Sequence, residues 1–218
     1  MKKTIYAAFV FAALGLTACN SGEEKKEENT ENAENKEEKV EAIEYNIVAS
    51  ESKIDWKGTW VAPGEDGEMK EMKNHEGHVK FSDGSVTKKG DDVSGSFTID
   101  MTTITNEDLG EEDGKSKLEG HLKSEDFFNV SKYATAGVQL KSIENGDANI
   151  VISVMGMEME ETVPVMTKTK DGKMMITGDF TVDFAKLGFD MFTPNPEKPE
   201  EGNISPKLDF SLDVVMKR

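Results

Sequence analysis

The chain is short of cysteine, aromatic residues and positive charge, and no apolar run in it is long enough to cross a bilayer as a helix. A single cysteine among 218 residues excludes an intrachain disulfide framework and any zinc or iron–sulfur site built from several thiolates. Lys and Arg number 26 against 43 Asp and Glu, for a net charge of −17. The sequence pI is near 4.6. A nucleic-acid partner is therefore excluded, since it would need a clustered basic surface, and unaided adsorption to anionic lipid is disfavoured. Aromatics make up 7% and the mean hydropathy is −0.56, which excludes a polytopic helical membrane protein. There is no G-x-S-x-G, P-loop, dinucleotide fingerprint or H-E-x-x-H, so nothing points to an enzyme or a cofactor.

What is present begins with Lys2 and Lys3 ahead of an apolar run from Ile5 to Leu16. A membrane span takes about 20 apolar residues, so this shorter run reads as the core of a secretory signal. It ends in Leu16-Thr17-Ala18-Cys19, which resembles a bacterial lipobox. On that resemblance residues 1–18 are a lipoprotein signal peptide and Cys19 is the lipidated residue, its thiol taking a diacylglycerol. An incidental cysteine after an ordinary signal, or a buried free thiol, are the alternatives. Two or three acyl chains, at about 0.8 kcal/mol per buried CH₂, make a stable anchor. The expected location is the cell envelope, at the outer membrane or cell surface in preference to the inner membrane, with the lipid as the only membrane attachment.

Asn20 to Glu44 holds ten Glu and four Lys and no aromatic residue. Such a segment buries too little surface to offset its ordering entropy, so residues 19–44 are expected to be the acylated cysteine and a disordered acidic linker. Glu23 and Glu24 loosely resemble a surface-export signal, and a plain solvated spacer is the simpler reading.

From Tyr45 onward apolar residues alternate: Phe97, Ile99 and Met101; Ile150, Ile152 and Val154; Phe180, Val182 and Phe184; Leu208 to Met216. This period of two predicts strands with one face inward and one wet. Asp83-Gly84, Gly90-Asp91, Asn145-Gly146 and Asp171-Gly172 lie between such runs and predict tight hairpin turns. Consecutive hairpins imply an all-β, antiparallel barrel of about eight strands over residues 45–218. Lys115 to Ser124 can carry a short helix, and the proline-rich stretch from Pro194 to Pro206 reads as a long loop.

Candidate chemistry is sparse. His75 and His78 are three apart, which on a strand places them on opposite faces and argues against a shared metal. His121 reads as a packed or capping residue, Asn106 to Asp113 as a solvated acidic loop, and Asp100 as a turn-capping side chain. No catalytic residue and no metal ligand is assigned. Methionines cluster at Met155, Met157, Met159, Met166, Met174 and Met175, a residue type that suits an adaptable apolar surface or an irregular core.

One segment is more specific. Gly95 to Phe97, Ile99-Asp100, the threonines from Thr102 to Thr105, His121 to Phe128 and Lys132-Tyr133 together resemble the YceI-like family. Tyr45, Ser52, Ile54 and Trp56 match its opening strand, Gly77 to Ser85 its second hairpin, Phe180 to Phe189 its penultimate strand and Leu208 to Met216 its last. The resemblance implies a lipocalin-like barrel whose apolar tunnel holds a polyisoprenoid lipid, such as a prenyl quinone or polyprenyl phosphate, without catalysis. The lining it implies is Ile54, Trp56, Phe81, Phe97, Ile99, Met101, Phe127, Phe128, Leu140, Ile152, Phe180, Val182, Phe210 and Leu212. The alternative is a self-filled barrel acting as an interaction module at the envelope, and a homodimer is left open. Ala134 replaces the family's proline after Lys-Tyr, and Lys57 to Trp60 stands where many members carry a histidine, so the family's head-group preference does not transfer.

Overall fold

The computed structural model describes residues 40–193 and 195–218. Cys19, the signal peptide and the linker as far as residue 39 lie outside the described residues. Alternation shapes the long strands. In Asp92–Asn106, Val93, Phe97, Ile99 and Met101 point inward, and the parity then shifts so that Ile104 and Asn106 are buried. The shift falls at a bulge: Lys80 pairs with Asp100 while His78 pairs with Thr105. Asp100 shapes it, its carboxylate accepting hydrogen bonds from the Thr102 amide at 3.0 Å and the Thr102 hydroxyl at 2.6 Å.

Among the described residues, eleven strands form one antiparallel sheet. They are β1 (Ala42–Ile47), β2 (Lys53–Pro63), β3 (Met69–Lys89), β4 (Asp92–Asn106), β5 (Thr135–Glu144), β6 (Asp147–Val154), β7 (Met157–Pro164), β8 (Met166–Lys170), β9 (Lys173–Asp183), β10 (Asn203–Ile204) and β11 (Lys207–Lys217). One helix, α1 (Lys115–Lys123), lies between β4 and β5. The count exceeds the expected eight because some strands share a lane. β1 and β2 both lie between β3 and β11, β1 pairing with Ser85 to Lys89 and β2 with Met69 to Val79. Ser52 joins the two, its hydroxyl donating to Val48 O at 2.9 Å and accepting from Val215 N at 3.0 Å. β7 and β8 are likewise one run that changes neighbour at Val165: Pro164 pairs with Asp147 of β6, and Met166 with Thr177 of β9. That switch joins the two ends of the sheet and closes the barrel. Every described strand finds its partners within residues 42–217, and the buried side chains form one cluster from Tyr45 to Met216.

Three expectations need correction. Asp83-Gly84 is no hairpin turn; β3 runs unbroken through it for 21 residues, with only a register shift between Phe81 and Asp83. Phe97 explains the glycine, because a Cβ at position 84 would stand 2.5 Å from its ring. The folded part starts before Tyr45, since Ala42 already pairs with Lys89. The proline-rich loop is also more ordered than a plain connection, with short 3-10 turns at Asp190–Phe192 and Pro199–Glu201 before β10. The hairpin turns at Asn145-Gly146 and Asp171-Gly172 do form, with positive φ at all four residues. A further such turn, Met155-Gly156 (φ 52° and 78°), carries no polar turn residue that could announce it.

Candidate functional site

The inward side chains leave a cavity of about 620 Å³ along the barrel. Ile54 and Trp56 reach it from β2, Phe81 from β3, Phe97, Ile99 and Met101 from β4, and Leu140 and Ile152 from β5 and β6. Phe180 and Val182 come from β9, Phe210 and Leu212 from β11, and Phe127 and Phe128 from the turn after α1. All fourteen side chains proposed from sequence therefore stand on one wall. Aromatic contacts crowd part of it: Phe127 meets Phe128 edge-on at 4.7 Å and Phe192 at 6.3 Å, and Phe184 meets Phe210 at 6.2 Å.

Sequence reading missed Ile104, Leu118, Leu122, Val163, Val165, Phe184, Met191 and Ile204, which also line the cavity. Val163 and Val165 share a parity and could have been found. Ile104 could not, because the bulge at Asp100 reverses the count before it. The clustered methionines do not line the cavity: Met159 and Met174 are buried, while Met157, Met166 and Met175 are exposed at 43%, 73% and 38%. They are core filler and surface, not an adaptable lining.

The segment between β4 and β5 borders the cavity, and α1 places Leu118, His121 and Leu122 on its wall. Fully buried Asn106 fixes this excursion. Its side-chain amide donates to Glu76 O at 3.0 Å, its carbonyl accepts from Leu109 N at 3.0 Å, and its backbone amide donates to the Glu119 carboxylate of α1 at 2.9 Å. His121 lies beside Phe127 with ring centroids 5.8 Å apart but is itself exposed, so it is not the packed residue expected.

Polar side chains on the wall are few: Lys73 and His75 of β3, and His121 and Asp126 beside α1. His75 Nδ1 lies 2.8 Å from Asp108 Oδ2, and Asp108 Oδ1 accepts from the Glu76 amide at 2.9 Å. Burial would raise the Asp108 pKa, but hydrogen bonds from the Glu76 amide, His75 and Asn106 outweigh it and hold the carboxyl below its ordinary value. The ionised carboxylate can only accept, so His75 Nδ1 carries the proton. His78 makes a separate pair with Glu107 at 2.9 Å, and among the described residues no three metal-donor side chains converge.

Trp60 Nε1 donates to Glu201 O at 3.1 Å, whereas Trp56 Nε1 is buried and has no partner among the described residues. A buried donor left unmet costs about 1–3 kcal/mol. The Trp56 indole lies inside because Gly77 opposite makes room for it. No serine, threonine or cysteine stands on the cavity wall among the described residues, so the arrangement offers no nucleophile–base pair there. Its chemistry is the removal of apolar surface from water, at about 25 cal/mol per Å² buried.

These features define a hollow antiparallel barrel with an apolar interior. Residues 45–216 match the model of the YceI-like domain, and the chain belongs to that family. Among solved structures, a polyisoprenoid binding domain from Saccharophagus degradans, implicated in plant cell wall breakdown, is similar at 12% identity and a TM-score of 0.52, covering 79% of this chain and 97% of that one. BcnA of Burkholderia cenocepacia is similar at 16% identity and a TM-score of 0.50, covering 78% and 98%. At these identities the likeness concerns the fold. No curated protein matches the chain in sequence.

Proposed function

We propose that this protein binds or carries an amphiphilic isoprenoid lipid, of the prenyl quinone or polyprenyl phosphate class, and performs no covalent chemistry. The apolar cavity of about 620 Å³ carries this reading. It lies within the roughly 300–1,000 Å³ of pockets that enclose small ligands. Such a volume favours a hollow barrel over a self-filled one. The binding domain of that description in Saccharophagus degradans, which shares the fold, supports the ligand class.

Lipidation at Cys19 would hold the barrel at a bacterial membrane, at the outer membrane or cell surface, where a water-insoluble ligand is supplied. The acidic linker, with its net negative charge, gives no attraction to anionic lipid, so the acyl chains are the attachment. Native mass spectrometry of residues 40–218 recovered from cells tests the reading. An apolar adduct of several hundred daltons is expected, followed by saturable uptake of a prenyl quinone after delipidation. Absence of both would end the carrier assignment.

A further inference from the structure

The two ends of the barrel differ. At the end where β1 enters, Tyr45 pairs with Val86, Ile47 with Met216, and Met216 with Met174. Tyr45, Val86, Met174 and Met216 are fully buried and none of them lines the cavity, so packed core closes that end. The wall residues that are exposed are Trp60, Lys73, His121 and Asp126. Trp60 and Lys73 pair with each other toward the other end of β3, and His121 and Asp126 follow the end of β4 that pairs with Gly77. These four mark the mouth.

The β2–β3 hairpin stands beside it. Met69 to Glu76 pair with β2 alone among the described residues, because β4 ends opposite Gly77. On this hairpin Trp60, Met69 and Met72 are exposed at 42%, 51% and 64%. Exposed apolar side chains gathered at the opening of an apolar cavity mark an interaction surface. Trp60 is at once cavity wall and outer surface, and its Nε1 is already bonded to Glu201 O, which leaves the ring to meet a partner.

We propose that this hairpin docks on a lipid bilayer, and that ligand passes between membrane and cavity through the mouth beside it. The inference rests on the isoprenoid-binding reading and gives that ligand its route. Tryptophan with exposed aliphatic neighbours suits the boundary between headgroups and acyl chains. Charge selects the surface: Val61 to Lys73 holds Glu65, Asp66, Glu68 and Glu71 against Lys70 and Lys73, which favours zwitterionic over anionic lipid. The chain enters at the closed end, Ala42 opposite Lys89, and leaves the mouth clear. From Met69 to Lys89, at about 3.3 Å per residue, β3 measures about 65 Å. Cys19 to Ala42, fully extended, spans about 75–80 Å. An anchor at Cys19 is therefore long enough for the mouth to face the same bilayer.

The test uses residues 20–218, which hold every described strand and lack the proposed anchor. Delipidated protein is mixed with phosphatidylcholine–phosphatidylethanolamine vesicles containing a menaquinone, and the quinone left with the protein after the vesicles are pelleted is followed in time. The uptake rate should rise with vesicle concentration, as collision requires. Met69→Ser with Met72→Ser should slow it about tenfold, since apolar area gives the contact its strength. Met166→Ser, at 73% the more exposed methionine but on the hairpin of the closed end, should leave it unchanged. Uptake from detergent micelles should be alike in all three proteins, because none of these methionines lines the cavity. Adding phosphatidylglycerol to the vesicles should slow uptake.

A rate independent of vesicle concentration overturns the proposal, because the ligand would then cross through water. So does a double variant as fast as the native protein, equal slowing by Met166→Ser, faster uptake with phosphatidylglycerol, or uptake from micelles but not from vesicles. In those cases the quinone still binds, and the isoprenoid reading stands. Failure to take it up from vesicles and micelles alike removes both.

Discussion

The indole of Trp56 occupies the space that a side chain at Gly77 would need. A Cβ at position 77 would stand 2.8 Å from Trp56 Cζ2 and 1.8 Å from the carbonyl oxygen of Thr105. The second contact is with the backbone of β4, which cannot move aside without breaking its ladder. Gly77→Ala should therefore destabilise the barrel by about 1–3 kcal/mol or more, as overpacking does. The urea midpoint reads this, and an unchanged midpoint would mean that β3 and β4 separate freely there.

Phe97 is buried on the cavity wall and packs against Phe81 with ring centroids 5.8 Å apart. An aspartate there would be an unpaired carboxylate among apolar neighbours, at a cost of several kcal/mol. Phe97→Asp should abolish folding or prenyl-lipid uptake. Glu28→Ala, in the acidic linker, should alter neither the melting temperature nor uptake. Equal effects of the two would remove Phe97 from the wall.

These two positions also show what the sequence made legible. Phe97 sits in an uninterrupted alternation, so its inward direction follows from parity alone, and the lanes of the barrel follow from the same rule. Parity fails where the backbone departs from the pleat. The bulge at Asp100 hid Ile104, and the glycine of Asp83-Gly84 answers to the Phe97 ring rather than to a turn. Met155-Gly156 turns the chain without a polar residue in the dipeptide. The contacts of His75 with Asp108 and of Asn106 with Glu76 O join residues about 30 apart, which no local pattern encodes.

The only cysteine stands at the one position where Leu16-Thr17-Ala18-Cys19 resembles a lipobox. On the proposed lipid anchor, Cys19→Ser would remove the thiol that takes the diacylglycerol, and the net negative charge gives no attraction to anionic lipid in its place. The variant should move from the membrane pellet to the soluble fraction on cell fractionation. Retention in the pellet would refute the lipid anchor. The barrel's melting temperature serves as the control and should not change, because β1 begins at Ala42, more than twenty residues after Cys19.

Asp108 gives the fold a defined response to acid. Its carboxyl titrates below its ordinary value: burial raises it, but hydrogen bonds from the Glu76 amide, His75 and Asn106 lower it further. A carboxyl depressed in the folded state contributes stability that is fully present above its unfolded value and is lost as pH falls through the lowered folded value. The free energy difference between the native protein and Asp108→Asn should therefore hold steady from neutral pH down to about pH 5. It should shrink below about pH 4, the ordinary aspartate range. Denaturant titrations across that range measure it, together with hydrogen exchange in α1, which Glu119 ties to the Asn106 amide at 2.9 Å. Exchange in α1 should quicken in Asp108→Asn at neutral pH and in the native protein only in acid. A difference that vanished already between pH 6 and pH 7 would assign the stabilisation to a group titrating there, and would show that the Asp108 carboxylate does not hold the loop.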